Sequence, residues 1–162
     1  MNIQIRKAKQ EDSVAILALI QELATFEREP DAVLITQKDI EQHGFGASPL
    51  FECFVAEVDL KIVGMALFYP RYSTWKGPTL HLEDLIVTEN MKGKGIGTRL
   101  YQKFIQYAYD QGVERIEWNV LDWNTPAVSF YEKSGADVLS DWRTVQMHRV
   151  AMKQFLINQK KQ

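Results

Sequence analysis

A chain of 162 residues, 46% hydrophobic and 25% charged, has the size and composition of one ordinary globular domain. Its net charge of −2 offers no basic surface for nucleic acid, and no apolar run reaches the ~18 residues that a membrane span needs. Cys53, the single cysteine, has no partner for an intramolecular disulfide, and the opening M-N-I-Q-I-R-K lacks an apolar signal core, so a cytoplasmic location is the expectation.

Residues 3–8 alternate apolar and polar at first, as a short opening strand would. Asp12 or Ser13 is placed to cap a helix running to about Phe26, whose Ile16, Leu17, Ile20, Leu23 and Ala24 recur at helical spacing. Pro30 breaks that pattern inside the carboxylate-rich run F-E-R-E-P-D. Thr36 starts a second short helix, expected to end before Gly44, and 44–49 is a loop. Residues 51–58 and 62–69 read as two strands around a tight turn at 59–61. Residues 72–78 read as a loop and 80–87 as a buried strand. A helix follows over 97–109, with Leu100, Phe104, Ile105 and Ala108 inward, and Gly112 ends it. A strand over 115–121, a turn, a helix opened by Pro126 and closed by Gly135, and a last strand over 142–150 complete the order. The tail suits a short helix. Antiparallel hairpins followed by a β-α-β unit predict an α/β fold: one mixed central sheet flanked by helices, in a single domain.

The chemistry concentrates in residues 82–98, L-E-D-L-I-V-T-E-N-M-K-G-K-G-I-G-T. Glu83 and Asp84 stand side by side in an otherwise apolar strand. Adjacent strand residues point to opposite faces unless a bulge intervenes, so an ordinary strand would put only one of them on a given face. Gly93, Gly95 and Gly97 then leave Cβ off alternate positions, and Thr98 is placed to cap the helix. Exposed N–H groups at a helix N-terminus suit an anion, so the turn reads as a phosphate cradle. It is not a Walker A loop, because no Lys-Thr pair follows the last glycine. It is a poor dinucleotide fingerprint, because Thr98 stands where a third Gly or Ala should. A tight turn without a ligand is the bland alternative. Cys53 lies in a strand-like run and reads as buried and structural. His43, His81 and His148 carry no metal-ligand spacing, and no metal is expected.

With the motif Lys92-Gly93-Lys94-Gly95-Ile96-Gly97 in view, the chain resembles the GNAT superfamily of acetyl-CoA-dependent N-acetyltransferases. Its signature is [QR]-x-x-G-x-[GA], with Lys here at the Gln/Arg position. Segments 22–27, 44–46, 73–77, 82–84, 92–97, 121–124 and 131–135 are similar, in matching order, to the spermidine/spermine N-acetyltransferase family. S-T-W-K-G and V-L-D-W-N look closest to its thialysine-acetylating branch. The resemblance implies a GNAT (acyl-CoA N-acyltransferase) fold and acetyl transfer from acetyl-CoA to a primary amine. It implies a β-bulge at the paired carboxylates and a homodimer whose amine site borrows from the partner.

An amine near pKa ~10.4 is protonated at neutral pH, so something must take its proton. The resemblance puts Glu83 in that role, through water; the competing role is simple attraction of the ammonium. A backbone N–H near Leu85, Ile86 and Val87 would steady the oxyanion. Tyr131, in S-F-Y-E-K-S-G, would protonate the departing thiolate. Gly93, Gly95, Ile96, Gly97 and Thr98 would hold the cofactor, Asn124 its pantetheine arm, and Lys92, Lys94 and Lys133 its phosphates. An acidic, partly aromatic amine pocket would draw on Phe26, Glu27, Trp75, Glu83, Asp84 and Asp141. The alternatives are a peptide or protein lysine N-acetyltransferase and a non-catalytic acetyl-CoA-binding regulatory domain.

Overall fold

The computed structural model describes residues 2–159, in two compact units that divide after Asn119. The first unit holds strands β1 (Ile3–Lys7), β2 (Glu52–Val58), β3 (Lys61–Ser73), β4 (Gly77–Val87) and β5 (Ile116–Glu117). Its helices are α1 (Ser13–Phe26), α2 (Gln37–Phe45) and α3 (Ile96–Asp110). The strands lie in the order β1-β2-β3-β4-β5, antiparallel except for the last pair, so the sheet is mixed as expected.

Period-two alternation gives the sheet two apolar faces. On one, Val55, Met65, Leu67 and Ile86 pack with Ile16 and Leu19 of α1 and Ile40 of α2. On the other, Phe68 meets Phe54, Phe104 and Tyr107, with ring centroids 5.0–5.3 Å apart. Helix α3 buries Leu100, Tyr101, Phe104 and Ala108. Ile105, expected inward, lies on the outer flank at 36% exposure. It stands one residue, about 100° of rotation, beyond Phe104. Tyr101 takes the inward place instead.

Local chemistry moves several boundaries. Asp12 does stand at the N-cap of α1, but its carboxylate accepts from the Arg6 guanidinium and the Lys9 N–H and leaves the helix uncapped. Thr36 caps α2 from its hydroxyl in a reciprocal box with Asp39, and the helix runs through Gly44 to Phe45. The loop expected over 72–78 is strand except at 74–76, because Tyr72 pairs with Pro78 and Ser73 with Gly77. The strand expected over 115–121 is only Ile116–Glu117.

The second unit holds α4 (Thr125–Lys133) and α5 (Arg149–Gln159). Asn124 caps α4, its side-chain oxygen accepting from the Ala127 N–H at 3.4 Å, and Pro126 stands in the first turn. The tail is helical as expected, with Lys160, Lys161 and Gln162 outside the described residues. No strand forms over 142–150. Residues 136–148 have no regular structure, and Arg149 already begins α5. A strand exists only through a ladder partner, and alternation around Val145 and Met147 does not supply one.

Candidate active site

The β3–β4 hairpin contains the feature that sets the site. Counting from its turn, the register pairs Tyr69 with His81 and Phe68 with Leu82, then jumps to Leu67 with Asp84. Glu83 is the extra residue of a β-bulge. Leu82 opposes Phe68 on the α3 face, and Asp84 opposes Leu67 on the α1 face. The bulge therefore keeps Glu83 and Asp84 on one face, together with His81 and Tyr69. Glu27, the C-cap of α1, contributes a third carboxylate to the same electrostatic cluster.

These charges feel one another. Burial, then the negative charges of Glu83 and Glu27, push the Asp84 carboxyl up to about 7. Burial and Glu83 raise Glu27 as well. Asp84 and Glu27, both pushed up beside the Glu83 carboxylate, favour a cation among them. The Tyr69 hydroxyl donates to Glu83 Oε2 at 2.6 Å. Burial and that bond push the phenol up to about 12, so it remains a donor. His81 Nε2 lies 3.6 Å from the same oxygen. Cys53 is buried with its thiol pushed up by desolvation, as a structural cysteine should be.

Strand β5 pairs with β4 only at Leu80 and His81. Past the bulge, β4 has no ladder with β5, so Leu85, Ile86 and Val87 lie along an edge without a β5 partner. That edge leads into the glycine turn. Gly93 and Gly95 both have φ 75°, and a Cβ at either would meet nothing within 4 Å, so open space adjoins the backbone there. Gly95, and not Thr98, is the N-cap of α3; Thr98 is already inside the first helical turn. No side chain caps this helix end, which leaves the N–H groups of Ile96, Gly97 and Thr98 for an outside acceptor. The cradle thus fits an anionic cofactor such as the pyrophosphate of CoA.

The remaining candidates are spread over both units. Lys92 pairs with Glu89 and stands 4.9 Å over the Phe26 ring, which joins the cradle to the end of α1. Lys94 Nζ donates to the Asn90 carbonyl at 3.2 Å. Trp75 is 79% exposed in the β3–β4 turn, and about 20 Å of strand separates Gly77 from Glu83 at ~3.3 Å per residue. In the second unit, Tyr131 is half-buried on α4 with its ring 5.5 Å from Phe130, Lys133 ends α4, and Asp141 is exposed in the irregular stretch.

A family model described as the acetyltransferase (GNAT) family matches residues 15–136, across both units. The chain belongs to the GNAT family. This GNAT protein is 36% identical to the thialysine N-epsilon-acetyltransferase of Bos taurus over 94% of its own length and 96% of the relative's. It is 36% identical to the human spermidine/spermine N(1)-acetyltransferase-like protein 1 over 90% of its length, which is 22% of that longer protein. The solved structure of an integron cassette protein from the mobile metagenome of V. cholerae shares its fold, with a TM-score of 0.78 at 19% identity over 96% of this chain and 98% of that one.

Three side chains at the site of this GNAT protein, Glu22, Tyr69 and His81, were given no part in it by the sequence. Glu22 accepts from the Thr88 hydroxyl at 3.1 Å and the Glu89 N–H at 2.8 Å, which braces α1 against the segment entering the cradle. These partners are too distant along the chain for any periodicity to reveal. Tyr69 and His81 face each other across the hairpin. Extending the hairpin register from a turn at 74–76 would have paired them.

Proposed function

We propose that this N-acetyltransferase moves the acetyl group of acetyl-CoA onto a primary amine of a small cation: a thialysine-like amine, a diamine or a polyamine. The observation that carries this reading is the bulge at Glu83, which keeps two adjacent carboxylates on one face in the field of Glu27. Bound acetyl-CoA supplies an acetyl group activated as a thioester. Asp84, Glu27 and Glu83 draw in the ammonium, with Phe26 beside them. Glu83 takes the nitrogen's proton, through water, so that the free amine can attack. Backbone N–H groups among Leu85, Ile86 and Val87, where β4 has left β5, donate to the acetyl oxygen as it gains charge. Tyr131 protonates the departing sulfur. The N–H groups of the turn from Gly93 to Thr98 hold the pyrophosphate, and Lys92, Lys94 and Lys133 supply positive charge to the cofactor's phosphates. Asn124 borders the pantetheine arm in addition to capping α4. No metal takes part.

Both units serve one acetyltransferase domain, a reading supported by the family match across them. The working form is a homodimer. Trp142, Val145, Met147, Val150, Phe155 and Leu156 are all more than half exposed, apolar surface that a second copy would cover. Trp75, in the turn before β4, is too far from Glu83 to touch an amine there in its own chain, so its place is in a pocket completed by the second copy; Asp141 adds a carboxylate to the amine pocket.

A steady-state screen tests the substrate class, reading CoA release and acetylated product over thialysine, diamines, spermidine and a lysine peptide. At least one small amine should give a kcat/KM well above the peptide's. Amine affinity should tighten from about pH 6 to about pH 8, because Asp84 ionises in that range while the amine stays protonated. Acetylation of the peptide alone would favour a protein lysine acetyltransferase. Bound acetyl-CoA with no turnover on any amine would make the chain a non-catalytic binding domain.

A further inference from the structure

We infer that Tyr69, backed by His81, is a positioning residue for Glu83: it holds one carboxylate oxygen in place so that the other faces the incoming amine. The inference rests on the reading of Glu83 as the base.

The Glu83 side chain is 51% exposed, so packing alone does not fix its direction. A base must stand within hydrogen-bond reach of the proton it takes, and a freely turning carboxylate spends little time there. The Tyr69 hydroxyl removes that freedom by donating to Oε2 at 2.6 Å. Oε1 takes no hydrogen bond among the described residues and is the oxygen left for the amine or its bridging water. Tyr69 is itself held from behind. His81 is its direct partner in the β3–β4 register, and the two rings stack at 5.2 Å and 28°. His81 is 7% exposed, and its Nδ1 is buried without a hydrogen bond. The buried imidazole is a flat backing for the phenol. The bulge completes the arrangement. Without the extra residue after Leu82, strand alternation would separate the two carboxylates, and only one would share the face of Tyr69.

A double-mutant cycle tests this. Tyr69→Phe keeps the ring and the stack and removes only the donor. It should lower kcat about tenfold, the scale of one hydrogen bond to a charged group, with KM for acetyl-CoA and the thermal midpoint unchanged. In a Glu83→Gln background the same change should alter kcat by less than about twofold, because Tyr69 acts through the carboxylate. A wild-type kcat in Tyr69→Phe, with Glu83→Gln slow, overturns the positioning role and leaves the base reading standing. Additive losses overturn it too, by showing that Tyr69 acts independently of Glu83. A wild-type kcat in Glu83→Gln removes the base reading and the role of Tyr69 with it.

Discussion

Gly95→Asp should abolish CoA binding and leave the fold intact. Gly95 caps α3 with φ 75° and ψ 5°, a left-handed conformation in which Asp and Asn are the best tolerated residues with a side chain. The new Cβ meets nothing within 4 Å, so the folding cost should be about 1 kcal/mol. The ligand meets a different situation. The added carboxylate stands beside the unclaimed N–H groups of Ile96, Gly97 and Thr98, where the pyrophosphate must sit. Two unit charges ~4 Å apart repel by ~4 kcal/mol at an effective dielectric of ~20, close to three orders of magnitude in affinity. Gly95→Asn has the same shape without the charge and should lose far less. Calorimetry of CoA binding to both folded variants reads the difference. An unchanged affinity in Gly95→Asp would remove the cradle from the cofactor site.

The parts of the site written in local sequence were legible. The turn from Lys92 to Gly97 follows a strand and opens a helix where its glycines placed it. The adjacent carboxylates raised the question of a bulge, and the register answers it at Glu83. Thr98 misled because a hydroxyl early in a helix resembles a cap. Gly95 in the left-handed region had already started the helix, so the true N-cap carries no side chain. The Tyr69–Glu83 bond was hidden for a related reason. Reading 72–78 as a loop cut the hairpin short and concealed the register that brings Tyr69 to the carboxylate.

The segment from Trp142 to Val150 failed differently. Its residues have strand-like alternation, but alternation reports only where apolar side chains could go. The ladder must come from another strand, and the described residues offer none. The brace from Glu22 to Thr88 and Glu89 is equally invisible in one dimension, since it depends on how α1 lies against the sheet.

The division of labour between Glu83 and Tyr131 predicts losses that part as pH rises. Tyr131→Phe removes one hydroxyl, so CoA affinity should survive while kcat falls by ~10²–10⁴, the usual range for a general acid. That loss should persist at high pH, where water is no better a proton donor and the thiolate still leaves unaided. Glu83→Gln keeps the size of the side chain and removes the base. Its loss should be of similar scale at neutral pH and should shrink as pH approaches the amine's own pKa of ~10.4, because solvent then supplies the free amine. Parallel pH–rate profiles of wild type, Glu83→Gln and Tyr131→Phe, under conditions where chemistry limits kcat, are the direct measurement. Recovery of Glu83→Gln at high pH with none in Tyr131→Phe is the expected result. The same fractional loss in Glu83→Gln at every pH, or a near-normal kcat in Tyr131→Phe, would contradict it.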